Sequence, residues 1–223
     1  MKLYHGSKSI IEKPIYGEGK LHNDYGRGFY CTEDENLALE WAVTADSDGY
    51  ANEYNIDISD FKILSINSDE YCILHWITIL LQNRIFDTTT PLAYEAKRYM
   101  IENYSLDTDS YDIIRGYRAD DGYFTYAQEF LNGTISVQQL REAMLLGKLG
   151  EQIMLKSEDA FNALTFIGAR EASSSIWYPK KEARDSKARA TYYNGNRVKY
   201  VRGQLYITSI LDEEIKANDL RLR

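Results

Sequence analysis

The residues that could do chemistry lie in two short segments near the start of the chain. The first is His5-Gly-Ser7, at the end of a predicted strand, and the second is Asp24-Tyr-Gly-Arg-Gly-Phe-Tyr30-Cys-Thr32. Each alone has a plainer interpretation, because a lone histidine after a strand is more often structural and a GxG before an aromatic pair is usually a turn. The chain has no phosphate-binding P-loop, no nucleophile elbow and no dinucleotide-binding glycine motif. Any chemistry must therefore come from these two segments and from the residues that the fold places beside them.

Taken in order, the two segments and the short alanine-containing helix after them resemble the ADP-ribosyltransferase superfamily. The similarity is to the diphtheria-toxin and poly-ADP-ribose-polymerase-like branch, whose signature is a histidine, a tyrosine and then a glutamate. As in that branch, a second aromatic residue, Trp41, stands eleven residues after Tyr30. Further motifs at Leu74–Arg84, Tyr111–Gly116 and Gly150–Ile153 resemble an uncharacterised bacterial group often encoded beside a small partner gene. The resemblance covers about residues 1 to 167.

The resemblance implies that NAD is the substrate and assigns roles around it. The residues it places against NAD are His5, Gly6, Ser7, Arg27, Gly28, Tyr30 and Trp41. Tyr30 and Trp41 would hold the flat, cationic nicotinamide between two aromatic faces. His5 would donate a hydrogen bond to the adenosine ribose, and the backbone of Gly6 would bind the nicotinamide carboxamide. Arg27 would meet the pyrophosphate, unless it is simply a turn arginine.

Cleavage of NAD passes through an oxocarbenium-like cation, which in the family is stabilised by a glutamate at the start of a later strand. This chain has Gln152 at the matching position and Glu151 just before it, and only one of two strand neighbours can enter a cleft. If Gln152 is the one, we expect the charge to come from elsewhere, first from Asp120 or Asp121. The alternative role of that pair is to cap a helix over 122–132. Glu129 is expected to face solvent.

The elements that must position these residues alternate irregularly, which favours an α+β fold with a mostly antiparallel sheet. The resemblance narrows this to an ADP-ribosyltransferase-like split antiparallel β-sandwich with helical insertions. The patterns predict strands over 2–4, 54–58, 61–66, 111–117, 152–155 and 164–167, and helices over 34–45, 69–84, 93–104, 124–131 and 137–146. Because no flexible linker interrupts them, we predict a single domain over 1–223, with a core over about 1–170 and a basic, tyrosine-rich element over about 171–223.

The composition is that of a globular protein, with 223 residues, 44% apolar residues and a formal charge of −8. The lack of a long apolar run or signal-like start predicts a cytoplasmic protein without membrane contact. Cys31 and Cys72 are expected to be buried, reduced thiols, and the three histidines have no metal-ligand spacing, so no metal is expected. Residues 180–202 carry a local charge of +6 and are expected to dock on the acidic body, or to bind an acidic partner or nucleic acid.

These features predict a mono-ADP-ribosyltransferase that cleaves NAD and modifies a macromolecular acceptor, either protein or nucleic acid. The bacterial group it resembles suggests the toxin of a toxin–antitoxin pair, with a small antitoxin-type protein as partner. Gln152 leaves two alternatives open. One is an NAD glycohydrolase, and the other is a non-catalytic NAD-, ADP-ribose- or partner-binding module on the same fold.

Overall fold

The computed structural model describes residues 1–119, 121–145, 150–195 and 199–222. Strands and helices are interspersed along this part of the chain, so the fold is α+β, as predicted. The strands are β1 (Lys2–Ser7), β2 (Phe29–Cys31), β3 (Gly49–Asn55), β4 (Ile63–Ser65), β5 (Ile113–Tyr117), β6 (Glu151–Leu155) and β7 (Thr165–Ala172). The helices are α1 (Glu35–Ala42), α2 (Ile73–Asn83), α3 (Pro91–Tyr104), α4 (Asp121–Leu131), α5 (Val137–Leu145), α6 (Glu158–Asn162), α7 (Ser174–Gly195) and α8 (Ile207–Asp212), followed by a 3-10 turn (Leu220–Leu222). None of the helices described is long and apolar enough to cross a membrane.

The strands form two sheets that touch at one corner. The first has the order β1-β3-β7 and is antiparallel, and the second has the order β2-β6-β5-β4, in which only β4 and β5 run parallel. Tyr4 on β1 and Thr32, just after β2, exchange backbone hydrogen bonds of 2.8 and 2.9 Å. The mostly antiparallel pairing is thus confirmed, and the corner contact brings the ends of β1 and β2 together.

The strand predicted over 54–58 is wrong in its bounds, because β3 lies earlier and ends at Asn55. Burial does not alternate along β3, since Ala51 and Asn52 are both buried, and the register against β7 shifts after Glu53. A bulge of this kind breaks the period of two on which strand prediction depends.

Within the described part of the chain, buried side chains form three clusters, which hold the two sheets and the helices together. The largest joins α2 with α3, α4, α5 and part of the C-terminal segment. A second draws on both sheets and includes Leu3, Cys31 and Leu155. The third lies where Ala38 and Ala42 of α1 pack on β1 and β3. Both cysteines are free and buried, as predicted.

The basic C-terminal segment packs against the rest of the chain. Arg184 of α7 pairs with Glu40 of α1, and the two side chains are only 15% and 11% exposed. Tyr192 and Ile207 belong to the largest buried cluster. The expectation that Glu129 faces solvent is wrong, because it is buried and accepts a hydrogen bond from the Tyr192 hydroxyl. This segment therefore docks on the acidic body.

Candidate functional site

A cavity of about 990 Å³ opens beside the corner where the two sheets meet. Its walls come from the ends of β1, β2 and β6, from α1 and α7, and from the loop between β1 and β2. The lining includes seven of the residues predicted from the sequence, namely His5, Gly6, Ser7, Gly28, Tyr30, Trp41 and Gln152. The fold thus brings residues from distant parts of the chain around one space.

His5 is held in one tautomer at the edge of this cavity. Its Nδ1 lies 2.7 Å from the carbonyl oxygen of Tyr30, which can only accept, so Nδ1 carries the proton. The ring also stacks on Phe29, with ring centroids 4.2 Å apart. Burial lowers the pKa of His5, and the hydrogen bond to Tyr30 only partly opposes this. The neutral ring therefore keeps Nε2 as a hydrogen-bond acceptor at neutral pH, so His5 offers an acceptor and not the donor that the resemblance implied.

Gly6 is required first by packing. A Cβ at this position would lie 2.2 Å from the carbonyl oxygen of Ala38 and 2.9 Å from the Cβ of Trp41, so only glycine lets α1 lie directly on β1. The backbone N–H and C=O of Gly6 point away from β3. The same groups of Tyr4, two residues earlier on β1, bond to Thr32 beside the second sheet, and alternate residues of a strand direct these groups to the same side. Gly6 therefore directs one donor and one acceptor toward the cavity.

The start of the loop after β1 is organised by Asn52, a buried residue of β3 that the sequence did not single out. Its Nδ2 donates to the carbonyl oxygen of His5 at 3.1 Å and to Ser7 Oγ at 2.9 Å. Its Oδ1 accepts from the backbone N–H of Ile11 at 2.8 Å. Ser7 Oγ in turn donates to the carbonyl oxygen of Ser9 at 2.6 Å. Ser7 thus shapes the loop that borders the cavity.

Tyr30 ties the other end of the same loop to β2. Its hydroxyl donates to the carbonyl oxygen of Gly26 at 2.6 Å and accepts from the backbone N–H of Tyr25 at 3.0 Å. Burial raises the pKa of Tyr30, so the hydroxyl stays protonated and keeps donating. The half-buried ring remains part of the cavity wall.

Trp41 meets a cation in the cavity wall. The guanidinium carbon of Arg118 lies 4.4 Å from the centroid of the Trp41 ring, which is the geometry of a cation–π contact. The indole Nε1 is buried and has no hydrogen-bond partner among the described residues. Trp41 thus already contacts one positive charge in this structure.

The two neighbours at the start of β6 face opposite ways. Gln152 is 4% exposed and lines the cavity, where its Nε2 donates to Asp24 Oδ2 at 2.9 Å and to the carbonyl oxygen of Tyr117 at 3.0 Å. Glu151 lies on the other face, where it pairs with Arg115 and accepts from Asn67 at 3.0 Å. Because two acceptors flank Nε2, the amide is fixed in orientation and Oε1 remains for a ligand.

Asp24 is the carboxylate of this site that sequence reasoning missed. Its Oδ2 accepts from the backbone N–H of Ala119 as well as from Gln152, both at 2.9 Å, and its Oδ1 lies 3.5 Å from Arg84 Nη1. Burial raises the pKa of Asp24, and the two hydrogen bonds and the nearby guanidinium groups of Arg84 and Arg118 oppose that rise. The only sequence signal was its position two residues before the glycine pair.

Of three other predicted site residues, two have no described side chain and one lies outside the cavity lining. Asp120 lies outside the described residues, and of Asp121 only the backbone is described, at the first position of α4. Arg27 is exposed and is not part of the cavity lining, whereas Arg84 and Arg118 line the cavity and their charges act on Asp24.

The cavity is positively charged although the chain is acidic. Among the described lining residues, seven are basic and four are acidic, against a formal charge of −8 for the whole chain. The basic residues are Lys8, Lys13, Lys20, Arg84, Arg118, Lys181 and Arg189. Because a cleft of one sign concentrates ligands of the other, this lining favours an anionic ligand.

The described residues contain no cluster of histidine, cysteine and carboxylate side chains that could hold a metal ion. The sequence model of a family described as "Protein of unknown function (DUF3990)" matches residues 1–166. The chain belongs to this family. No curated protein and no solved structure matches the chain. The DUF3990 match ends within β7, so it includes His5, Tyr30 and Gln152 but not α7, which completes the cavity wall.

Proposed function

We propose that the protein is a mono-ADP-ribosyltransferase that cleaves NAD and transfers ADP-ribose to a macromolecular acceptor. The observation that carries this proposal is the convergence of His5, Gly6, Tyr30, Trp41 and Gln152 on one cavity. These are the residues to which the sequence resemblance gives the binding and activation of NAD. Two small, mainly antiparallel sheets that meet at this cavity also support the split sandwich of the ADP-ribosyltransferases.

The chemistry of the lining suits the parts of NAD. The directed N–H and C=O of Gly6 match a carboxamide, which has one acceptor and two donor hydrogens. The unprotonated Nε2 of His5 can accept from a ribose hydroxyl. Arg84 and Arg118 supply positive charge for the pyrophosphate. A cavity of about 990 Å³ is at the upper end of the range for small-molecule sites.

In the proposed reaction, the bond between the nicotinamide nitrogen and the ribose C1′ breaks, and nicotinamide leaves with the electron pair. The ribose becomes an oxocarbenium-like cation, which the acceptor attacks at C1′ while losing a proton. Oε1 of Gln152 can accept from the ribose 2′-hydroxyl and so orient the sugar. Aromatic faces at Tyr30 and Trp41 bind the nicotinamide cation before it leaves.

The test uses NAD labelled in its adenine ring, with and without added lysate protein or nucleic acid. Chromatography measures the nicotinamide that is released, and the label follows the ADP-ribose. Gln152→Ala and Glu151→Ala form a matched pair, because they are strand neighbours on opposite faces. We expect Gln152→Ala to lower kcat by about 100-fold, the size seen when one transition-state donor or acceptor is lost. Glu151→Ala should keep the parental rate.

Label on a macromolecule together with nicotinamide release would support the transferase. Free ADP-ribose formed without any added acceptor would instead identify an NAD glycohydrolase. The proposal fails if the parent protein releases no nicotinamide under any of these conditions. It also fails if the two variants lose activity equally while both remain folded by circular dichroism.

A further inference from the structure

We infer that Asp24 and Gln152 act as one unit, in which Asp24 carries the negative charge and the amide of Gln152 presents it to the sugar. This inference rests on the proposed function, and it assigns Asp24 a role as a positioning residue. The two side chains are far apart in sequence but joined by a buried hydrogen bond of 2.9 Å between Nε2 and Oδ2. Both residues line the cavity.

The structure gives a physical reason for an amide at position 152. Nε2 lies within 3.0 Å of two acceptors, the Asp24 carboxylate and the carbonyl oxygen of Tyr117. A carboxylate at 152 would face both acceptors without a hydrogen to donate, whereas the amide donates one hydrogen to each. The glutamine is therefore the partner that a carboxylate at position 24 requires, rather than the remnant of a lost glutamate.

The carboxyl group of Asp24 is held in a defined place by donors that favour its charged form. The backbone N–H of Ala119 donates to the same oxygen that accepts from Gln152, and Arg84 Nη1 lies 3.5 Å from the other oxygen. The neighbouring Tyr25 is also fixed, because its hydroxyl donates to the carbonyl oxygen of Tyr117 and accepts from Trp76 Nε1 at 3.1 Å. The carboxylate thus has two fixed donors and one ion-pair partner, and it cannot turn away.

The pair supplies the negative charge that an isolated glutamine would lack. An amide whose N–H groups are donated to a carboxylate has a more negative carbonyl oxygen, because hydrogen bonds in a chain polarise one another. When the C1′–N bond breaks and nicotinamide takes the electron pair, the sugar cation forms near this oxygen. Asp24 therefore stabilises the cation through Gln152 and does not need to touch the substrate.

The experiment is a double-mutant cycle between the two positions, using Asp24→Asn, which removes the charge, Gln152→Ala, which removes the amide, and the double variant. Either single change should lower kcat for nicotinamide release by about 100-fold with KM for NAD nearly unchanged. Because either change breaks the same unit, the double variant should lose no more than about tenfold beyond the slower single variant, instead of the roughly 10,000-fold product expected for independent residues. The control combines Asp24→Asn with Glu151→Gln, on the opposite face of β6, and should show only additive losses.

A parallel set of urea unfolding curves keeps the test independent of NAD. The urea midpoint should fall in each single variant, and in the double variant it should fall by clearly less than the sum of the two single falls, because both changes disturb the same hydrogen bond. A double variant whose losses of rate and of midpoint equal the combined losses of the two single variants would overturn the inference. If the parent does not cleave NAD, the proposed function fails, while the unfolding curves still decide whether the two residues form one unit.

Discussion

A methyl group at position 6 is expected to move α1 and, with it, Trp41. The Cβ of a Gly6→Ala variant would lie 2.2 Å from the carbonyl oxygen of Ala38 and 2.8 Å from the backbone nitrogen of Ala42. Both are backbone atoms of α1, so no side-chain rotation relieves the contacts. Since ordinary contact begins near 3.4 Å, the helix must move away from β1 by roughly 1 Å.

Two losses should follow from this displacement. Overpacking of a tight contact costs about 1–3 kcal/mol, and we expect the upper half of that range here because backbone meets Cβ. Trp41 moves with α1 relative to His5 at the end of β1. A misplacement of about 1 Å in an organised site can lower the rate by about 100-fold. Gly6→Ala should therefore be both less stable and less active.

Urea unfolding followed by tryptophan fluorescence measures the first loss, and nicotinamide release measures the second. The control is Gly168→Ala on β7 of the same sheet, where an added Cβ meets nothing within 4 Å. Its free energy of unfolding should stay within about 0.5 kcal/mol of the parent. Equal stability of the two variants would contradict the packing explanation. A destabilised Gly6→Ala that cleaves NAD at the parental rate would show that Trp41 has no part in the reaction.

Two further predictions concern His5 and the docking of α7. Burial lowers the pKa of His5, so its Nε2 remains a hydrogen-bond acceptor at every pH above 6.5, the ordinary value for histidine. The affinity for NAD, measured by calorimetry, should therefore be constant above pH 6.5 and fall at lower pH. The His5→Gln variant should not show this fall. The same shift contributes stability that is present above pH 6.5 and is lost as the pH falls toward the lowered value. Arg184→Met leaves the buried Glu40 carboxylate without this partner and should cost about 3 kcal/mol in urea unfolding. Adding Glu40→Gln should recover most of that loss, and no recovery would mean that the ion pair is not what holds α7.

Local pattern was enough to predict most of the elements of this chain. The spacing of apolar residues from Cys72 to Leu81 predicted the helix that became α2, and short apolar segments around Ile113 and Met154 predicted the central strands of the second sheet. These features depend on neighbours within one or two turns, so they can be read along the sequence. The bulge in β3 could not, because it depends on how β7 pairs with it.

The sequence by itself determined that a histidine, two aromatic residues and a glutamine would supply the site, since their types and order are properties of the chain. Only the tertiary structure decided which carboxylate accompanies them. Asp24 and Gln152 stand 128 positions apart and meet because β2 and β6 are neighbours in one sheet. The tertiary structure likewise decided that the guanidinium group of Arg118, which follows β5, lies over the Trp41 ring. A buried charge is tolerated only where donors converge on it, and that convergence is a property of the folded chain rather than of any local segment.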